Sequence, residues 1–434
     1  MSGRVPRLLI VGGGTAGLAA AATAARICPG EVWVIDRAPL VSVATCALPY
    51  LVGGQIEEAA SLVLHQPEQL LERGIVVHTG SGASEIDLKG HRLRLENGRW
   101  LDFEQLMLAP GGARHYPGEH FANVLSPRDL ESSLRARVWL EQPEVKTVLI
   151  AGAGYLGLEL AEAARRRGRA VALVDPSPTL LGLPPELHRV LLDELESQGV
   201  EWIPSRVVAW EGQGLASHAL LEDGSRRAFE LAFWAAGCPV HNPLLESLPL
   251  ERGEAGGLRI NSRGETSRRG VYAAGDCCEI PHPEGGWVHQ PLARPAALLG
   301  QVAGANACGQ SRRFQGCWGS LSLKVFGLEV AWVQRRRLAP QIDSCRGDWP
   351  LRPGYWPNSD RVHLQLDFAG PSGPLQAAWA VGHEVTSLMQ TLSLALAQNL
   401  DAEALSQLEA AYTPPLSPMW DPISRTARQS KRWA

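Results

Sequence analysis

The residue in this chain best suited to covalent chemistry is Cys46, which stands in the stretch VSVATCALPYLVGG, Val41 to Gly54, with no second cysteine near it. A thiolate is both a nucleophile and an acceptor of electron pairs, and its reactivity follows its pKa and exposure. Two glycine-rich runs could hold the carriers that such a thiol needs. The first is Gly12-x-Gly14-x-x-Gly17 with Asp36 downstream, and the second is Gly152-x-Gly154-x-x-Gly157 with Asp175 downstream. Glycines at this spacing let backbone N–H groups approach a pyrophosphate at a helix N-terminus, and the acid accepts from ribose hydroxyls. At Asp175 the carboxylate favours a free 2′-hydroxyl and repels a 2′-phosphate, and Pro176 and Ser177 add no cation, so NADH is expected over NADPH.

Each run needs a strand before it and a helix after it. Leu8 to Val11 reads as the first strand, the Ala-rich stretch to Arg26 as its helix, and Val32 to Ile35 as the strand that ends at Asp36. In KTVLIAGAGYLGLELAEAARRRGRAVALVD the same order recurs, with a helix to about Arg167. A repeated dinucleotide unit implies two nucleotides and electron transfer between them. IVVHTGSGASEIDLKGHRLRLENGRWLDF reads as an antiparallel meander leading into a further strand. GVYAAGDCCEI reads as a strand running into Gly275-Asp276. From about Ser322 the pattern changes: a hairpin over DRVHLQLDFAGPSGPLQAAWAVG, a helix over EVTSLMQTLSLALAQNL, and a last helix over DAEALSQLEAAYTPP. Asp401 is the expected N-cap of that last helix, and Pro414 and Pro415 its stop.

At 434 residues the chain is expected to hold two or three domains. A net charge of −4 gives no basic face for nucleic acid. Eight scattered cysteines do not make a secreted disulfide framework, which points to a reducing, cytoplasmic compartment. The uncharged run after Arg7 has the length of a signal or membrane segment, but its spaced glycines argue for the nucleotide turn instead, so no membrane partner is expected. No cysteine or histidine spacing suits a metal. Adjacent Cys277 and Cys278 read as small buried side chains, since neighbouring cysteines bridge only with strain. His282 and His289 flank PEGGW, which reads as a surface loop. The fourteen tryptophans carry no functional reading.

Taken in order, the first glycine run, Cys46, Ala109-Pro110-Gly111, the second run, VYAAGDC and AAYTPPLSPMWDP make the sequence resemble the FAD-dependent pyridine nucleotide-disulfide oxidoreductases along essentially its whole length. The resemblance implies an α/β fold of two Rossmann-like domains, for FAD and NAD(H), and a C-terminal α+β dimerisation domain. The expected boundaries are 1–116 with 248–321 for FAD, 117–247 for NAD(H), and 322–434 for dimerisation in a homodimer. It further implies that Gly111, Gly275 and Asp276 belong to the flavin site. Tyr155 would cover the flavin until NADH displaces it, and Glu159 would stand near the nicotinamide. Pro110 is a departure from the family's Ala-Thr-Gly.

SVATCALPYLVGG is similar to the single-cysteine branch of that family, which includes coenzyme A disulfide reductases, persulfide reductases, NADH oxidases and NADH peroxidases. Ser42, Ala44 and Cys46 match the coenzyme A disulfide reductases, while Val43 and Thr45 depart. Leu51 stands where a Cys-x4-Cys pair would have its second sulfur, and no His-Glu pair lies near Tyr412. Cys46 is therefore expected to cycle between thiolate and a bond to an arriving group, with its pKa lowered by a helix N-terminus. Cys46 and Tyr412 are the candidate catalytic residues, and Arg26, Ser42 and Thr45 the candidate substrate-binding ones; Arg26 matches an arginine that meets coenzyme phosphates. The implied partner is a small thiol disulfide or persulfide. Thr15 stands where NADH peroxidases and many water-forming oxidases have a histidine, which disfavours a peroxidase; an NADH oxidase or peroxidase working through a sulfenic acid on Cys46 is the alternative reading, with the oxidase its leading form. A flavoprotein redox sensor that binds a protein partner is the other alternative. Ala297 to Gln301, Leu416 and Ser424 depart from the coenzyme A pattern. The basic end with Arg425, Arg428, Lys431 and Arg432 could meet phosphates or be solvated.

Overall fold

Four consecutive apolar residues, Leu8–Val11, form the central strand of a five-stranded sheet in the order Val271–Ala273, Gln105–Leu108, Leu8–Val11, Val32–Ile35, Ile75–His78. Every neighbouring pair is parallel, with Leu8 opposite Val32 on one side and Gln105 on the other. A parallel sheet is covered on both faces, which is why these strands are apolar runs and not alternating ones. The sheet is the heart of the first of two compact units, made of Met1–Leu48, Glu57–His115 and Cys238–Cys317. The second comprises Pro49–Ile56, Tyr116–Gly237 and Trp318–Ala434. The computed structural model describes residues 5–112, 115–237, 240 and 242–430.

In the first unit, helix Thr15–Ile27 packs on the sheet and on helix Ala293–Ala307. The uncharged run after Arg7 is thus a strand, a turn and a helix, as the glycine spacing predicts. Among the described residues no helix is long and apolar enough to cross a membrane. The expected antiparallel meander is realised by Ala83–Asp87, Arg92–Leu95 and Trp100–Asp102. Ile75–His78, assigned to it from sequence, instead extends the parallel sheet beside Val32–Ile35. Its IVVH run lacks the polar alternation that the three meander strands show, so it suits a strand with both faces covered.

The second unit repeats the arrangement. Its parallel sheet runs Val200–Ile203, Ala170–Val174, Thr147–Ala151, Leu231–Trp234, Val124–Leu125, with helix Tyr155–Arg166 following the central strand. Beyond it lies an antiparallel five-stranded sheet, ordered Leu321–Val325, Leu328–Gln334, Leu375–Gly382, Arg361–Ala369, Ile342–Pro350. One face of this sheet, with Val330, Ala377, Trp379 and Val381, shares a core with Leu187, Leu191 and Leu195 of helix Pro185–Ser197. The other face, with Ala331, Val333, Ala378 and Ala380, packs on helix Val385–Ala397.

The last helix expected from sequence is shorter than its pattern. Asp401 caps it as predicted, accepting from Ala404 N at 2.9 Å, but it spans only Ala402–Ser406. Arg428 donates to the Ser406 carbonyl at 3.2 Å and so occupies an acceptor that a continuing helix would use. A further short helix, Pro422–Ala427, follows.

Candidate active site

Gly12 has φ +103°, and a Cβ there would overlap the backbone carbonyl of Ala109, so no other residue fits. A Cβ on Gly17 would overlap the carbonyl of Gly12, which lets the helix start directly against the turn. Gly14, by contrast, faces open space at the N-terminus of helix Thr15–Ile27. Asp36 does more than wait for a ribose. One carboxylate oxygen accepts from Gly13 N at 2.6 Å and the other from Ala38 N at 2.8 Å, so the acid also pins the glycine turn. A narrow turn, an open helix N-terminus and an anchored carboxylate are the cradle that a dinucleotide pyrophosphate and ribose require.

The segment carrying the thiol is tied to that cradle. Ser42 is buried with φ +60°, a conformation uncommon for a side-chain-bearing residue. Its N–H donates to Gly13 O at 3.1 Å, and its carbonyl accepts from Leu64 N at 2.9 Å. Ala44 N donates to Leu62 O at 2.9 Å. Val41 fills the space that a Gly13 side chain would need. Laced in this way, the chain delivers Cys46 into the turn Thr45–Ala47, where both Thr45 and Cys46 are exposed.

Gly275 has φ +84°, and a Cβ there would touch Ala16 at 3.2 Å, so the Gly275–Asp276 turn lies against the start of the fingerprint helix. His289 Nε2 stands 3.0 Å from the Asp276 carbonyl. Gly111 has φ +77°. The structure therefore gathers Gly12, Gly14, Gly17, Asp36, Ser42, Cys46, Gly111 and Gly275 within one unit. Cys277 and Cys278 are buried with their sulfurs 3.5 Å apart, and burial pushes the Cys278 thiol well above its usual value. They are core side chains, as the sequence suggests. The histidines flanking PEGGW are not surface-loop residues. His282 is buried and accepts from Glu284 N at 3.2 Å, and His289 lies in a strand.

The second fingerprint has the same geometry. Gly152 has φ +106°, Gly157 lies over its carbonyl, and Gly154 faces open space. Asp175 accepts from Ala153 N at 2.8 Å and from Ser177 N at 2.9 Å. Tyr155 is exposed at the start of its helix and Glu159 is half-buried one turn on. Burial pushes the Glu159 carboxyl up to about 7, and the carboxylate of Glu162 adds to this. The Tyr50 hydroxyl, donating at 3.5 Å, works in the opposite direction. Tyr50 comes from helix Leu48–Gly53 and was not singled out from sequence, where it reads only as a turn residue.

Tyr412 is exposed on the irregular segment that follows helix Ala402–Ser406. It is hydrogen-bonded to Tyr355, and this bond pushes the Tyr355 phenol up. Sequence reading missed Tyr355; the signal was RPGYWP, two aromatics set in a Pro-Gly loop. Arg26 is exposed and donates to Thr23 Oγ1 at 3.3 Å. Arg425 and Arg428 are not loose tail cations. Their guanidinium groups lie 3.9 and 3.8 Å from the ring centres of Trp349 and Trp420. Lys431, Arg432 and Cys238 fall outside the described residues.

Two pyrophosphate cradles and an exposed thiol laced to one of them define an oxidoreductase that handles two nucleotides. The chain belongs to the family described as pyridine nucleotide-disulphide oxidoreductase, whose model matches residues 6–297. Membership implies FAD and NAD(P)H as cofactors, and the cradles described above fit both. The NAD(P)H sulfur oxidoreductase (CoA-dependent) of Pyrococcus abyssi is 28% identical over 98% of both chains. The coenzyme A disulfide reductase of Staphylococcus haemolyticus is 25% identical over 95% of this chain and 96% of its own. Among solved structures, the NAD-dependent persulfide reductase of A. fulgidus superposes with a TM-score of 0.91 at 26% identity, covering 97% of this chain and 82% of that one.

Proposed function

We propose that this chain is an NADH-dependent flavoprotein reductase of a low-molecular-weight disulfide or persulfide of the coenzyme A type, working through Cys46. The observation that carries the reading is the exposed thiol of Cys46, held by Ser42 to the turn of the first fingerprint. FAD bound in that cradle would supply the chemistry that the side chains lack, taking hydride from NADH and giving an electron pair to sulfur. The Cys46 thiolate attacks one sulfur of the arriving disulfide, forming a mixed disulfide and releasing the other half as a thiolate that takes a proton. Two-electron reduction of the mixed disulfide releases the second thiol and restores the Cys46 thiolate. With a persulfide the same attack leaves sulfur on Cys46, and reduction releases it as sulfide.

The remaining roles follow the same reading. Asp36 and the first glycines bind the flavin nucleotide, with Gly111, Gly275 and Asp276 beside it. Asp175 orients the adenosine ribose of NADH, and its charge disfavours NADPH. Tyr155 covers the nicotinamide position until the nucleotide arrives. Ser42 and Thr45 flank the thiol, and Arg26 presents its guanidinium to coenzyme phosphates. Tyr412, paired with Tyr355, donates a proton to the leaving thiolate of a partner subunit. The exposed Tyr355, Trp356, Leu416, Met419 and Trp420 support a homodimer, in which such a face is covered. The domain limits 1–116 with 248–321, 117–247 and 322–434, and a cytoplasmic site of action, belong to the same proposal.

The test is mass spectrometry of the purified protein together with anaerobic assays. The proposal expects a thiol adduct on Cys46 and NADH oxidation driven by coenzyme A disulfide or persulfide. Cys46→Ser should lose that activity by at least about 1,000-fold while NADH-to-dye transfer persists. Turnover with peroxide or oxygen alone, and a sulfenic acid on Cys46, would move the assignment to the oxidase reading.

A further inference from the structure

The structure holds a half-buried carboxyl with no countercharge on the helix of the second fingerprint, and the reading above gives it no role beyond proximity to the nicotinamide. Tyr155 and Glu159 lie one turn apart on the same face of helix Tyr155–Arg166. Asp175 takes the adenosine half of a pyridine nucleotide and the open position at Gly154 takes its pyrophosphate. The face with Tyr155 and Glu159 is then left for the nicotinamide half.

The sheet beneath the helix shares a hydrophobic core with it through Val148, Ile150, Leu173 and Phe233. Strand Leu321–Val325 turns Leu323 and Val325 inward and leaves Lys324 exposed. Helix Leu48–Gly53 contributes the Tyr50 hydroxyl at 3.5 Å. Of the arginines that follow on the chain, Arg165 donates to the Gln198 and Arg169 carbonyls at 2.6 Å, Arg166 is exposed, and Arg167 donates to the Val52 carbonyl at 3.4 Å and pairs with Glu141 at 3.5 Å. Glu162, on the same helix, is buried and accepts from Phe326 N at 2.7 Å. Among the described residues no cation pairs with Glu159.

We propose that Tyr50 and Glu159 form a proton-linked pair through which the nucleotide site favours oxidised, cationic nicotinamide over the neutral reduced ring as the pH rises. The inference rests on the reading that this helix binds a pyridine nucleotide. Below neutrality Glu159 carries its proton and the two ring states meet a neutral carboxyl. Once it ionises, Glu159 is a half-buried carboxylate with no ion-pair partner among the described residues, and the oxidised ring supplies the positive charge it lacks. By linkage, binding the oxidised nucleotide expels a proton from Glu159 near neutral pH, and binding the reduced form does not. Tyr50 holds the carboxylate form within reach of that range, because its hydroxyl donates to the charged state.

The experiment is isothermal titration of the flavin-loaded protein with NAD+ and with tetrahydro-NAD, a neutral analogue that cannot give up hydride. It is run at about pH 6 and about pH 8 in buffers of different ionisation enthalpy. The affinity ratio of NAD+ to the analogue should rise roughly tenfold across that range, equivalent to one unit of pKa displacement on binding. Glu159→Gln should flatten the ratio, and Tyr50→Phe should move its midpoint to higher pH. A flat ratio in the unsubstituted protein, or a slope that survives Glu159→Gln, overturns the inference while leaving nucleotide binding intact. Should neither nucleotide bind, the nucleotide reading itself fails and takes the inference with it. If Glu159→Gln does not fold, the midpoint in Tyr50→Phe decides: an unmoved midpoint overturns the pair.

Discussion

Gly12 and Gly152 carry φ of +103° and +106°, each third glycine lies over the carbonyl of the first, and Asp36 and Asp175 each accept from the N–H inside their turn. The turns are near copies, yet their helices have different surroundings. Thr15–Ile27 bears no charge before Arg26 and is covered by the sheet and by helix Ala293–Ala307. There Gly300 and Gly304 bring backbone against Ala16 and Ala20, with no room for a Cβ. Tyr155–Arg166 instead carries Glu159, Glu162, Arg165 and Arg166 and meets the turn at Phe326 through Glu162. Three glycines and an acid recur at both cradles, while the helices behind them differ in charge and in what they pack against.

The largest effects are expected at the first glycines. Gly12→Ala forces a Cβ into the Ala109 carbonyl and should cost about 3–4 kcal/mol of stability with loss of bound flavin, read by melting and by visible absorbance. Gly152→Ala should instead retain the flavin colour and lose NADH binding. If both variants lose flavin equally, the two cradles are not separate. Gly300→Ala comes next, at about 2–3 kcal/mol, because it separates two helices that have no equivalent at the second fingerprint. A melting curve unchanged by that substitution would remove the distinction drawn here. Asp175→Ala should lower the preference for NADH over NADPH about tenfold in kcat/KM, with flavin content unchanged.

A further effect concerns pH. Glu159 is pushed up to about 7 by burial, from 4.5. Between those values the folded protein keeps a proton that the unfolded chain has lost. Stability conferred at this position therefore declines as pH rises from about 4.5 to about 7 and stays low above it. Glu159→Gln should accordingly be more stable than the parent by about 2 kcal/mol at about pH 8, with the difference vanishing near pH 4. Denaturant titrations at the two pH values check the sign.

Much of the site was legible because it depends on local chemistry. The strand, turn and helix around Gly12 to Gly17 follow from glycine spacing and an apolar run, and helix Thr15–Ile27 ends one residue beyond the expected Arg26. The misplaced strand Ile75–His78 shows where this stops: which sheet a short apolar run joins is decided by long-range pairing, here with Val32–Ile35. Helix Ala402–Ser406 ends at a carbonyl that Arg428, a residue distant in sequence, takes as its acceptor. Tyr50 and Tyr355 were missed for the same reason, since their partners Glu159 and Tyr412 lie far along the chain. The tryptophans acquire a partial account only in three dimensions. Trp100, Trp287, Trp318, Trp349 and Trp420 each lie under an arginine, which makes them platforms for cations.

The two parallel sheets also differ in how their outer strands are supplied. The second sheet is drawn entirely from Val124 to Trp234, whereas the first waits for Val271–Ala273 to dock beside Gln105–Leu108. During synthesis the ribosome releases Leu8–Val11 early, but that strand's sheet gains its fifth member only after the whole later-encoded sheet has left the exit tunnel. The first parallel sheet is thus begun before the second and completed after it, and in the interval the edge at Gln105–Leu108 has no partner strand on that side.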